Sequence, residues 1–119
     1  MNRFLTGQIM AATLLDHGCD INTREPMALG MDLAIAVSLQ GRYRVRFDYY
    51  GNAHKLRVTV RLTEAEGAEN PDGLAPQPAL FEVALPTRDT DAQQCRRIRD
   101  ELERINDHLS DLLLEGQPS

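Results

Sequence analysis

Six cations alternate with apolar residues in two neighbouring stretches, Arg42, Arg44 and Arg46 in GRYRVRFDYY and Lys55, Arg57 and Arg61 in HKLRVTVRL. Guanidinium groups match the geometry of phosphate and carboxylate, so the chemistry these side chains offer is anion recognition. In a β-strand, residues i, i+2 and i+4 share a face, which places the three arginines on one side and Tyr43, Val45 and Phe47 on the other. The second stretch repeats the pattern, with Leu56, Val58, Val60 and Leu62 opposing Lys55, Arg57 and Arg61. With Gly51-Asn52 as a two-residue turn, Arg46 falls opposite Arg57 and Arg42 opposite Arg61, and like charges directly across a ladder repel. The pattern therefore calls for an anion: a ligand, a partner protein, or carboxylates of the chain itself. A solvated face, its long stems lying on apolar surface, is the competing reading.

Other residues with chemical capacity give weaker signals. Asp16, His17, Cys19 and Asp20 are metal-ligand types, but their spacing matches no zinc pattern. His54 and His108 lack a neighbouring nucleophile in the context of a catalytic pair, and Gly30, Gly41 and Gly51 are scattered singletons rather than a phosphate-binding loop. A catalytic reading requires His17, Cys19 and an acidic residue to converge in one cleft. The sequence therefore assigns no catalytic residue, no metal ligand and no cofactor. Cys19 and Cys95, far apart and outside any paired motif, read as reduced thiols.

Composition narrows the partners. A length of 119 residues fits a single domain, residues 1–119, with enough chain to bury a core. The net charge of −5 argues against a general nucleic-acid binder, and only Tyr50 shares the arginine face, which leaves little for base stacking. No apolar run approaches the roughly 20 residues of a membrane span. The N-terminal stretch MNRFLTGQIMAATLLDHG has one arginine and no cleavage-like site, so it reads as part of the fold, with a cytoplasmic address as the default and no membrane partner.

The elements that position the arginines follow from periodicity. Leu5, Ile9, Ala12 and Leu15, widened by Phe4, Met10 and Leu14, predict a helix over residues 3–17 that ends at a left-handed Gly18. Residues 19–30, with Asn22, Pro26 and Gly30, read as an irregular connection. Met31, Leu33, Ile35, Val37 and Leu39 alternate with smaller or polar residues and predict a strand, against a helical competitor rich in Ala, Leu and Met. Strands over residues 42–50 and 54–62 form the basic hairpin. The acidic Pro/Gly stretch 64–78 predicts a mobile loop, residues 79–85 a fourth strand at an edge, and residues 116–119 a frayed tail. Thr90 with Gln93 suggests a capping box for a final helix whose apolar residues recur at Cys95, Ile98, Leu102, Ile105, Leu109 and Leu112.

These elements combine into an α+β fold in two layers: an antiparallel sheet of about four strands with the N-terminal and C-terminal helices packed on one face. The expected function is a non-enzymatic protein-binding module, such as a small inhibitor, adaptor or chaperone, of the kind carried by bacteria, phages or mobile elements. Its partner would be a protein, and a homo-oligomer is expected, a dimer favoured, with Leu109, Leu112, Leu113 and Leu114 or a sheet edge as the contact. The alternative is a binder of nucleic acid or a nucleotide phosphate through the arginine face.

Overall fold

The computed structural model describes residues 3–63 and 79–117. The expected 64–78 loop and the end of the expected tail lie outside them. Six elements follow in order: α1 (Arg3–Asp16), α2 (Ile21–Leu39), β1 (Tyr43–Tyr50), β2 (Lys55–Leu62), β3 (Ala79–Ala84) and α3 (Ala92–Glu115). The fold is α+β, with an antiparallel sheet in the order β1-β2-β3.

One expected strand is a helix. Residues 31–39 form the second half of α2, and the stretch read as a connection forms its first half. Asp20 starts this helix by accepting the Thr23 N–H at 3.1 Å, which satisfies one of the donors that a helix N-terminus leaves open. Pro26 stands inside the helix. Its carbonyl takes a hydrogen bond from Asn106 Nδ2 of α3 at 3.0 Å. The sheet consequently has three strands among the described residues, not about four.

The core joins α2 and α3 to the sheet. Val37 of α2 and Leu102, Ile105, Leu109 and Leu112 of α3 cluster with Leu56, Val58, Val60 and Val83, and Tyr43, Val45, Phe47 and Phe81 pack around them. The alternation of the hairpin thus runs the way its sequence requires. On α3 the periodic apolar stripe supplies the buried residues, but its N-cap is Asp91, which accepts the Gln94 N–H at 2.8 Å. Thr90 Oγ1 instead accepts the Thr87 N–H at 2.8 Å.

The N-terminal helix does not cover the sheet. It buries none of its residues, although it ends as its sequence implies: Gly18 is left-handed at φ 98, and the Cys19 and Gly18 N–H groups close on Leu14 O at 2.8 Å and Leu15 O at 3.1 Å. This is the paired hydrogen bonding of a Schellman cap. The radius of gyration is 16.9 Å, against about 13.5 Å for a compact domain of this length.

The turn of the hairpin also differs from its expected form. Tyr50 pairs with Lys55, leaving residues 51–54 as a four-residue loop in place of a two-residue Gly51-Asn52 turn. His54 takes a left-handed φ of 48 without being glycine, and its ring is anchored on both sides, to Tyr49 Oη at 2.9 Å and to Pro86 O at 2.9 Å. Each strand residue therefore meets a partner two positions from the expected one, a shift that keeps the faces and changes the pairs.

Where α2 crosses α3 and β1, a Cβ on Gly30 would stand 2.9 Å from Asn106 Oδ1 and 2.9 Å from the Phe47 ring. Helix propensity alone favours alanine over glycine by about 1 kcal/mol, whereas forcing atoms into a filled site costs about 1–3 kcal/mol. Gly30→Ala is expected to lower the urea midpoint of unfolding. A rise would show that the crossing is loosely packed.

Candidate functional site

The outer face of the sheet carries five of the six cations, in pairs set by the longer turn, and Arg42 stands just before β1. Arg44 lies across from Arg61, Arg46 from Thr59, and Asp48 from Arg57, so neither Arg46 with Arg57 nor Arg42 with Arg61 is a direct pair. Glu82 of β3 stands on the other side of Arg57. Its carboxylate takes Arg57 Nη2 at 2.7 Å, Arg57 Nε at 3.0 Å and Lys55 Nζ at 3.3 Å. The Tyr50 ring lies 4.9 Å from the Arg57 guanidinium, within the range of a cation–π contact.

The chain's own carboxylates therefore answer part of the basic face. Arg46 Nη2 adds a looser contact to Asp48 at 3.6 Å, and Arg42 lies over the Tyr43 ring at 5.4 Å. Lys55 and then Arg57, by hydrogen bonding, hold the Glu82 carboxyl below the usual carboxylate range. Asp48 was legible as a partner because it shares the parity of Arg44 and Arg46 in its strand, and Glu82 because it alternates with the inward Phe81 and Val83.

Of the residues expected at a self-association surface, Leu109 and Leu112 lie in the core of their own chain and Leu113 packs against it. Leu114 is 70% exposed.

A cleft of about 660 Å³ at the hairpin tip is lined by His17, Cys19, Tyr49, His54, Arg88 and Asp89, among others. It brings together the thiol, histidine and acid that a catalytic reading requires. The hydrogen bonds decide what the group can do. Cys19 Sγ lies 4.0 Å from His54 Nε2, but that nitrogen is 2.9 Å from the Pro86 carbonyl, which only accepts, so Nε2 carries a proton. The opposite nitrogen faces Tyr49 Oη at 2.9 Å, and the imidazole has no lone pair for the thiol. Desolvation, followed by the nearby Asp20 charge, pushes the Cys19 thiol pKa up. A nucleophilic cysteine needs the opposite shift. The same contacts join the α1–α2 corner and the hairpin turn to the loop before α3, helped by Arg88 Nε donating to Asp16 O at 3.0 Å. Among the described residues, no group of three or more His, Cys, Asp or Glu could hold a metal ion.

The two N-terminal helices leave apolar side chains uncovered. Ten large hydrophobic side chains of α1 and α2 are exposed, including Phe4 at 76%, Ile9 at 58%, Ile35 at 52% and Leu39 at 81%. From residue 4 to residue 15 the chain has no charged side chain. On α2, Met31, Ile35 and Leu39 border a groove of about 300 Å³ whose other wall is Val45 and Phe47 of β1. The sequence carried a signal for this surface, since a helix that is apolar all round is ordinarily buried.

Family models, curated proteins and solved structures all return no match to this chain.

A carboxyl with a lowered folded pKa stabilises the fold above its ordinary value, about pH 4.3, and loses that contribution as pH falls through the folded value. Glu82→Gln is thus expected to lower the urea midpoint at pH 7, with the gap to wild type closing in the acid range below the usual carboxylate pKa. A gap of the same size at pH 3 as at pH 7 would remove the Lys55–Glu82–Arg57 pairing as its cause.

Proposed function

We propose that this protein is a non-enzymatic protein-binding module of the inhibitor, adaptor or chaperone type, acting in the cytoplasm and assembling with itself. The observation that carries the reading is the exposed, uncharged length of α1 together with the outer side of α2. Exposed apolar surface of this extent marks a contact surface. A phage or mobile-element origin accords with the small size and rests on size alone. The composition of the helices disfavours a lipid surface: interfacial helices carry a strongly charged face rich in Lys and Arg, and α1 has one cation, Arg3, at its start. No helix among the described residues is long and apolar enough to cross a membrane.

A second reading has its own observation. Arg44 and Arg61 face each other directly across the ladder, beside Arg42, and guanidinium groups gathered at one corner match the geometry of a phosphate or an acidic side chain laid over it. The working surface would then be the half of the sheet face away from Glu82.

Native mass spectrometry of the chain purified at low salt from its own host is expected to show it in complexes with protein, either further copies or a second species. A bare monomer in every preparation would sink the binding-module reading. For the second reading, a short single-stranded oligonucleotide is expected to bind at low salt, with affinity falling steeply as salt rises. An Arg42→Glu, Arg61→Glu variant is expected to lose that binding at unchanged helicity, and equal affinity in wild type and variant removes the phosphate reading.

A further inference from the structure

We infer that the chain forms a two-fold dimer by exchange of its first helix, the α1 arm of each copy lying in the α2–β1 groove of the other. This inference rests on the protein-binding reading above and assigns the partner as a second copy.

The argument begins at the corner between the helices. Gly18 is left-handed at φ 98, and a side chain there would run into the Thr87 carbonyl. Cys19 is buried, Asp20 is occupied as the N-cap of α2, and Arg88 holds the end of α1 through the Asp16 carbonyl. The corner is fixed from both sides. It directs α1 away from its own groove, because Ile9 on the arm and Ile35 and Leu39 at the groove all remain more than half exposed. A swing of α1 onto its own chain would have to break this joint, whereas a second copy can enter without disturbing it.

Length and chemistry fit the occupant. The 14 residues of α1 make a rod of about 21 Å. The groove side of α2 offers Met31, Ile35 and Leu39 in an i, i+4, i+8 row, which is the ridge that a packing helix reads. Both surfaces are uncharged where they would meet: α1 carries charge only at Arg3 and Asp16, and α2 beyond Glu25 carries only Asp32. A charged partner would strand its charges there. A second copy brings the matching surface, and one two-fold operation covers both arms and both grooves.

The area is sufficient. The five exposed large side chains of α1 together with Met31, Ile35 and Leu39 at the groove, each at least two-fifths exposed, present on the order of 500 Å² of apolar surface per copy, taking roughly 100 Å² for a whole side chain. A standard interface buries about 800 Å² per partner, a little over half of it apolar.

The experiment uses two full-length variants altered only at exposed positions. One, Ile9→Asp with Met10→Asp, spoils the arm and keeps the groove. The other, Ile35→Glu with Leu39→Glu, spoils the groove and keeps the arm. Wild type is expected to be a dimer at micromolar concentration by light scattering coupled to size exclusion, and each variant alone a folded monomer by circular dichroism. Mixed in equal amounts at tens of micromolar, the two variants are expected to form a hetero-dimer by native mass spectrometry, at least tenfold weaker than wild type because one of its two arm–groove contacts remains. Arm-to-arm pairing predicts no rescue on mixing, and that result overturns the exchange. Single variants that remain dimeric overturn it as well. A wild-type monomer that carries a different host protein overturns the exchange and leaves the binding-module reading standing, while a bare monomer removes both.

Discussion

The crossing at Gly30 fixes the rest of the molecule. Here α2 comes close enough to α3 for Asn106 to donate to the Pro26 carbonyl at 3.0 Å, and close enough to β1 for the Phe47 ring to occupy the space of a missing side chain. A buried amide must find a partner or cost about 1–3 kcal/mol, and Asn106 finds one in a backbone group of α2. The two residues that break helices elsewhere are therefore the ones that let this helix lie against both neighbours. Once α2 is held there, Ala34 and Val37 face the core, and the opposite side of the helix faces outward with Ile35 and Leu39.

The sequence revealed elements in proportion to their contrast. In α3, charged and apolar residues separate cleanly onto two sides, so the 3.6-residue period is visible and the buried leucines and isoleucines follow from it. In the hairpin, cations alternate with apolar residues and the period of two is equally plain. In α2, apolar residues lie on every side from Met27 to Leu39 with only Asp32 and Ser38 as polar interruptions, so the helical contrast vanishes and the chance alternation of alanines mimics a strand. Pro26 and Gly30 then read as punctuation, because their use depends on Asn106, some eighty residues away in the chain.

The turn shows a different limit. Left-handed backbone is ordinarily signalled by glycine or asparagine, and both stand at Gly51-Asn52, yet the left-handed residue is His54. Its ring bonds to Tyr49 and Pro86 hold it there, and one of those contacts comes from beyond β3. The faces of the strands survive this change because the displacement is an even number of residues. The cross-strand partners do not, and with them changes the electrostatic reading of the face, since Arg57 gains Asp48 across the ladder and Glu82 on its far side. The residues of the basic face were thus legible while the degree of its neutralisation was not.

The arm carries the final consequence. A lone helix of 14 residues is marginal in water, because nucleation is costly and most helical stability in proteins comes from burying one side. The Schellman cap and the Cys19 joint secure one end of α1, yet they cover none of its length. In the exchanged dimer proposed above, burial of Ile9 and Met10 in the partner groove would also supply free energy that keeps α1 helical, so that ordering of the arm and association would be a single equilibrium. The stability of α1 would then depend on protein concentration, while the core of α2, α3 and the sheet, closed within one chain, would not share that dependence.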